Sequence, residues 1–280
     1  MSVKIIADST CDLPDELLAQ YDISILPLYI QMGGRCYRDR VEITPREVFA
    51  HVDAGGALCT TASVNMDEFR DYFALWAETR EAVVCITLSG EMSSCFQNAC
   101  RAAEAFGNVY VVDSRNLSSA QGLLALEGAR LAREGCSGRE IAEQLRAETD
   151  KVQSSFLLDR LDYMRRGGRC SAVAALGANL MHLKPCIAVH DGAMGVVKKY
   201  RGSFERCMMQ YTKELLAACP DVRSDMAIVV HPAADPAAVA ATIRTLEEDG
   251  RFQAVYEART GCTVACHCGP NTIGVMFLNK

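Results

Sequence analysis

Apolar positions along the chain follow two alternating patterns: short β-rich runs that end in polar residues, and amphipathic stretches with a period near 3.6. Residues 3–8 read as a strand ending in Asp8-Ser9-Thr10-Cys11-Asp12-Leu13-Pro14, with Asp12 as the cap of a helix over 15–21. Residues 25–32 read as the next strand and Gly33-Gly34 as a turn. Thr44-Pro45-Arg46-Glu47 then has the capping box and first-position proline of a helix start. After Gly55-Gly56, the run Thr60-Thr61-Ala62-Ser63 precedes a helix from Met66, with Asn65 as cap and Phe69, Tyr72, Phe73 and Trp76 on one apolar face. Strands over 82–87 and 109–112 each lead into a helix, the first after Ser93-Ser94 and the second over 117–133. Ser137-Gly138-Arg139-Glu140 is another capping box, opening a helix to about residue 152, and 154–158 leads out of the first half. This β-α series predicts a mainly parallel sheet with helices on both faces, a three-layer α/β/α unit.

The second half has a different pattern. The stretch 158–171 reads as a strand end, a short helix, the glycine break Gly167-Gly168 and a second helix start, with Arg160, Arg165, Arg166 and Arg169 around the break. Residues 171–182 read as helical. Alternating strands over 185–190 and 194–200 flank Asp191-Gly192, a hairpin signal. A helix over 203–219, a strand over 225–231, a helix opened by Asp235-Pro236 and strands over 254–257 and 274–278 complete a smaller two-layer α/β unit with a mixed sheet. The expected division is 1–158 and 159–280, with a ligand cleft between the two.

Composition narrows the function. Half of the 280 residues are hydrophobic and the formal net charge is −6, a balance that argues against broad nucleic-acid binding. Met1 runs almost directly into a strand pattern, and no apolar run has membrane-spanning length, so a cytoplasmic location is the expectation. The 14 cysteines are scattered through core-like segments, which favours reduced thiols. Cys262, Cys266, His267 and Cys268 cluster, but their spacing lacks the second pair of a zinc site, so no metal is expected there.

Two hydroxyl-rich segments are candidates for chemistry. Thr60-Thr61 lies just before a helix, where hydroxyls serve either the loop's own backbone or a ligand. Leu88-Ser89-Gly90-Glu91-Met92-Ser93-Ser94 turns into a helix N-terminus, where free N–H groups and the macrodipole favour a carboxylate or phosphate; Ser93 or Ser94 is alternatively a plain N-cap. Neither a P-loop nor a strand-linked G-x-G-x-x-G is present, so a nucleotide site has little support. A hydrolase with Ser93 as nucleophile is the competing class, but no G-x-S-x-G elbow supports it.

Several of these motifs together resemble the DegV family of bacterial fatty-acid-binding proteins. Tyr163-Met164-Arg165-Arg166-Gly167-Gly168-Arg169-Cys170-Ser171 is similar to its Tyr-Leu-x-x-Gly-Gly-Arg-(Ile/Val)-Ser signature. The opening Asp8-to-Pro14 motif and the closing His267-Cys268-Gly269-Pro270-Asn271-Thr272-Ile273-Gly274 resemble the family's two ends. The resemblance implies a single long-chain fatty acid buried between the domains, with no other cofactor. It places Thr61 and Ser93 at the carboxylate-binding positions, with Ser63 and Ser94 beside them. The chain departs from the family pattern at Gly90 and Ser94, and only Thr61 is kept from its Thr-Ser-Gln-Pro-Ser loop. The resemblance also implies that the carrier does no chemistry itself and presents the acid to a separate ATP-dependent fatty acid kinase, which makes an acyl phosphate for phospholipid synthesis. Arg169, Arg201 and His267 fall near the family's pocket mouth, where a basic rim suits docking to the kinase or transient contact with membrane head groups, or simply faces water.

Overall fold

The computed structural model describes residues 3–174 and 183–280. The elements of the first half are β1 (Lys4–Asp8), α1 (Asp15–Gln20), β2 (Ile23–Leu26), β3 (Tyr29–Met32), β4 (Arg35–Arg38), α2 (Pro45–Asp53), β5 (Thr60–Ala62), α3 (Met66–Ala77), β6 (Val83–Thr87), α4 (Cys95–Ala103), β7 (Val109–Asp113), α5 (Ser119–Arg133) and α6 (Gly138–Glu148). The second half follows with β8 (Val152–Leu157), α7 (Asp162–Gly167), α8 (Ser171–Ala174), β9 (Leu183–His190), β10 (Ala193–Arg201), α9 (Phe204–Ala218), β11 (Val222–His231), α10 (Pro236–Asp249), β12 (Ala254–Arg259), α11 (Cys262–Cys268) and β13 (Ile273–Asn279). Of the helix expected over 171–182, the part beyond Ala174 lies outside the described residues.

The first sheet has the order β2-β1-β6-β7 and is parallel throughout. Every residue of β1 is buried, because side chains alternate between two covered faces. Ile6 packs with Phe69 and Phe73 of α3 and Ala99 of α4, while Ile5 and Ala7 pack with Leu123 and Leu124 of α5 and Ile141 of α6. The expected three layers are present.

The second sheet, β10-β9-β8-β13-β11-β12, is mixed, antiparallel except for the β11–β12 pair. Helices α9 and α10 cover one face through Met208, Tyr211, Val239 and Leu246. Its other face turns toward α5, where Ile228, Val230, Met276 and Leu278 join the same core as Ile5 and Leu124. Helix α5 is therefore held between the two sheets, and 12 of its 15 residues are buried, as an element enclosed on all sides must be. Strand β8 precedes residue 158 yet pairs with β9 and β13 in this second sheet. Asp191 and Gly192 both take positive φ (49° and 81°), forming the tight β9–β10 turn that the sequence predicts.

Two expectations need correction. The single strand over 25–32 is two strands in different sheets: Pro27 lacks an N–H, the ladder stops at Leu26, and β3 starts a small antiparallel sheet of order β4-β3-β5. Asp12 does not cap α1, whose N-cap is Pro14 with no side-chain bond. Asp12 instead adopts a left-handed conformation (φ 44°) that turns its carboxylate into the interior, where it accepts from Ser118 Oγ and from the Gly261 N–H, both at 2.6 Å.

Candidate functional site

Where the two sheets and α11 meet there is a cavity of about 320 Å³, within the usual range of small-molecule sites. The sequence treats 262–268 as a cysteine cluster; the structure makes it a helix, and one face of that helix forms a wall. Thr263, Val264, His267 and Cys268, together with Thr260 just before the helix, line the cavity at spacings of three and four residues. Cys262 and Cys266 turn the other way, into the core with Phe49 and Tyr163. Burial pushes the thiol of Cys268 up to about 12, and that of Cys266 higher still.

Helix α11 is held in place by residues from the opposite end of the chain. Asp39, fully buried, accepts from the Cys262 N–H (2.6 Å), the Thr263 N–H (3.2 Å), the Thr263 hydroxyl (2.6 Å) and the Ser9 hydroxyl (3.0 Å). Together with Asp12 on Gly261, it satisfies the orphan N–H groups of the helix start and complements its dipole. Burial raises Asp12 to about 8, against the opposing pull of Arg40 and its two donors.

The hydroxyl loop is held from three sides. Asp8 accepts from the Leu88 N–H (2.8 Å), the Asp113 carboxylate accepts from the Gly90 N–H (3.2 Å), and Ser89 donates to the Gly192 carbonyl (2.7 Å). That loop brings Ser93 and Ser94 to the cavity beside Thr61 and Ser63 of the β5 segment. Ser63 Oγ and Ser94 Oγ lie 2.8 Å apart and join the two segments. Ser94 occupies the N-cap position of α4 without a side-chain bond to the helix, while Ser93 Oγ accepts from the Cys95 N–H at 3.2 Å. All four candidate hydroxyls thus line one cavity, near a helix N-terminus.

Thr61 Oγ1 lies 2.9 Å from His267 Nε2, which joins β5 to α11. Burial, with the positive charge of Arg169 nearby, lowers His267 to about 4, so the ring is neutral at pH 7. Its Nδ1 is buried without a partner among the described residues and faces Gly167, where a Cβ would come within 2.4 Å of it. Of the two neutral tautomers, the one protonated on Nε2 donates to Thr61 and leaves the Thr61 hydroxyl proton free for an anion. Arg169 also lines the cavity and is exposed.

Arg201 is not part of this arrangement. Met194 near the start of β10 lines the cavity, and Arg201 ends the same strand about 20 Å further along at the usual rise per residue. It is exposed there, so only two members of the expected basic rim meet. Thr10, at the carboxyl end of β1 where ligands collect in α/β sheets, also lines the cavity; the sequence gave no warning of Ser118, Thr260 and Thr272, although a helical period carried through 260–268 would have exposed Thr260 and Thr263. Ser93 has no imidazole partner among the described residues, and His267 bonds Thr61 instead. The apolar wall comes from Leu28, Leu88, Leu117, Phe156 and Val230, and from Met92, Met164, Met194 and Met276, flexible side chains that adapt to a tail's shape.

The fold thus gathers hydroxyls at one point of a mainly apolar cavity between its two larger sheets, the usual arrangement of a small-ligand site. The model of the DegV family, described as uncharacterised, matches residues 2–280, and the chain belongs to that family. A DegV domain-containing protein of Clostridium acetobutylicum is 31% identical over 282 residues, covering 99% of each chain. A DegV family protein from Thermus thermophilus, whose structure shows fatty acid binding, superposes with a TM-score of 0.91 at 29% identity over 100% of both chains. A stearic acid-binding protein from Eubacterium ventriosum superposes with a TM-score of 0.86 at 26% identity, over 99% of this chain and 98% of the other.

Proposed function

We propose that this protein binds one long-chain fatty acid in the cavity, with the carboxylate at Thr61 and Ser93 and the tail along the apolar wall. The observation that carries this reading is the cavity's polarity: Thr61, Ser63, Ser93, Ser94, His267 and Arg169 gather with leucine, methionine and phenylalanine side chains around one cavity. The binding described for the Thermus and Eubacterium relatives agrees with it. Burying about fifteen CH2 groups at about 0.8 kcal/mol each gives on the order of 12 kcal/mol before ordering costs, so the tail supplies most of the affinity. A carboxylate bonded to hydroxyls adds about 1.5 to 3 kcal/mol per bond, enough to fix orientation and reject uncharged lipids.

The protein acts as a carrier and does no chemistry itself. Ser94 and Arg169 are exposed beside the carboxylate site, with Arg165 and Arg166 in the last turn of α7. This exposed basic surface suits presentation of the acid to a separate ATP-dependent kinase that forms the acyl phosphate. Calorimetric titration of the delipidated protein with stearic acid tests the binding step. Saturation at one acid per chain is expected, and no heat beyond dilution would overturn it. Phosphate transfer from ATP to the bound acid by a purified fatty acid kinase, absent without this protein, tests the presentation step.

A further inference from the structure

Strand β13 forms part of the inner wall of the cavity and carries a glycine there. Register pairs Gly274 with Phe156 of β8 on one side and with Val230 of β11 on the other, so the three make one row across the sheet. All three line the cavity, which fixes the face that the row turns toward it. Met276, two residues on and therefore on the same face, lines it as well, whereas its own row neighbours Ser154 and Ile228 do not. On this sheet the lining thus ends at Met276, and beyond it lies the core that holds Ile5, Leu124 and Leu278. Burial marks this as the inner end. Ser94 and Arg169 are exposed, Thr61, Ser63 and Ser93 are half-buried, and Phe156, Val230, Gly274 and Met276 are buried.

The backbone of Gly274 is ordinary strand and not among the glycines of positive φ, so what this glycine supplies is space. A Cβ there would stand 2.9 Å from Met276 Cε, 3.2 Å from Val230 Cγ1 and 3.3 Å from Phe156 Cβ. The missing side chain leaves a trough with two different kinds of neighbour. Phe156 and Val230 present atoms close to their own strands, which the sheet holds in place. Met276 presents the far end of a side chain with three rotatable bonds, and its methyl group is the nearest atom to the trough. An acyl tail that reaches the trough competes with that methyl group for the same space.

We propose that Gly274 and Met276 together set the acyl-chain length that this protein accepts, the trough taking the last carbons of the tail and Met276 stopping it. This inference rests on the fatty-acid reading above and specifies its ligand class. A tail gains about fourfold in affinity for each further CH2 group it buries, and gains nothing once it meets a wall. Affinity along a homologous series therefore rises and then levels at the chain that fills the trough.

The test titrates delipidated wild type, Met276→Ala, Gly274→Ala and Met194→Ala with the even-numbered saturated acids from lauric to arachidic. Met276→Ala removes three heavy atoms from the end wall, so its affinity should level one acid later in the series. At that acid the variant should gain about tenfold to twentyfold over wild type, the worth of two buried CH2 groups, relative to the acid before it. Gly274→Ala fills the trough and should level one acid earlier. Met194→Ala truncates a cavity methionine that packs in a different part of the core, and should level where wild type does. Met276→Leu, close in volume and one atom shorter in reach, stands in if the alanine variant fails to fold, and should move the levelling point the same way as Met276→Ala. A levelling point that is absent from wild type, or that stays at the same acid in the Gly274 and Met276 variants, would overturn the length limit and leave fatty-acid binding intact. An equal shift in Met194→Ala would overturn it too, because any loss of bulk would then have the same effect. Failure of every acid to bind the wild type would overturn the fatty-acid reading itself, and the length limit with it.

Discussion

Replacing Asp39 with asparagine tests how the start and end of the chain cooperate to build the cavity. The Asp39 carboxylate receives four hydrogen bonds in a fully buried position, three of them from the first residues of α11. One carboxylate oxygen takes three of these bonds and the other takes only the Cys262 N–H, so an asparagine can keep three with its oxygen while its amide nitrogen faces the Cys262 donor. Losing that one bond at about 1.5 to 3 kcal/mol, with a buried N–H left unpaired, predicts a loss of about 1.5 to 3 kcal/mol. That is a sizeable share of the roughly 5 to 15 kcal/mol typical of a folded domain. Urea unfolding combined with amide hydrogen exchange should show a lower midpoint and early loss of protection in Cys262–Cys268, before the β1 and β6 amides open. A midpoint change worth less than about 1 kcal/mol, or unchanged protection in α11, would refute the idea that Asp39 anchors this helix.

Other expectations follow from the site. Thr61→Val and Ser93→Ala should each weaken stearic acid binding by about tenfold to a hundredfold without abolishing it, measured by calorimetry; unchanged affinity in both would remove these hydroxyls from the carboxylate site. His267 gives a pH signature. Its pKa falls from 6.5 to about 4 on folding, so between those values the unfolded chain holds a proton that the folded chain does not. Its contribution is present above pH 6.5 and is lost as pH falls toward 4, by up to about 3 kcal/mol. His267→Asn should flatten that part of the stability profile, and matching slopes in wild type and variant would show the ring to be ordinary.

Local signals were the most legible part of the sequence. The boxes expected at Thr44 and Ser137 form as the side-chain chemistry requires, the Asn65 cap proves to be a third box with Glu68, and Asp191-Gly192 makes the expected hairpin turn. Thr61, Ser63, Ser93 and Ser94 all line one cavity; spacing alone left them as loop or N-cap hydroxyls, and it was the resemblance to the DegV family that singled them out. What the sequence hid is long-range. The partners of Asp12 and Asp39 lie more than 200 positions away, on Gly261 and Cys262, and no periodicity encodes such a pairing. The short helix α11 was obscured by its cysteines, and the break at Pro27 by an apolar run continuing on both sides of it. Arg201 ends β10 exposed and outside the cavity lining, so its sequence motif fixed the strand end and not a cavity contact.

The most direct test of the central claim is native mass spectrometry of the purified protein, with lipid extracted under denaturing conditions and identified. One fatty acid per chain, depleted in Thr61→Ala and Ser93→Ala, is the predicted result. An empty protein that also takes up no added stearic acid would contradict the account.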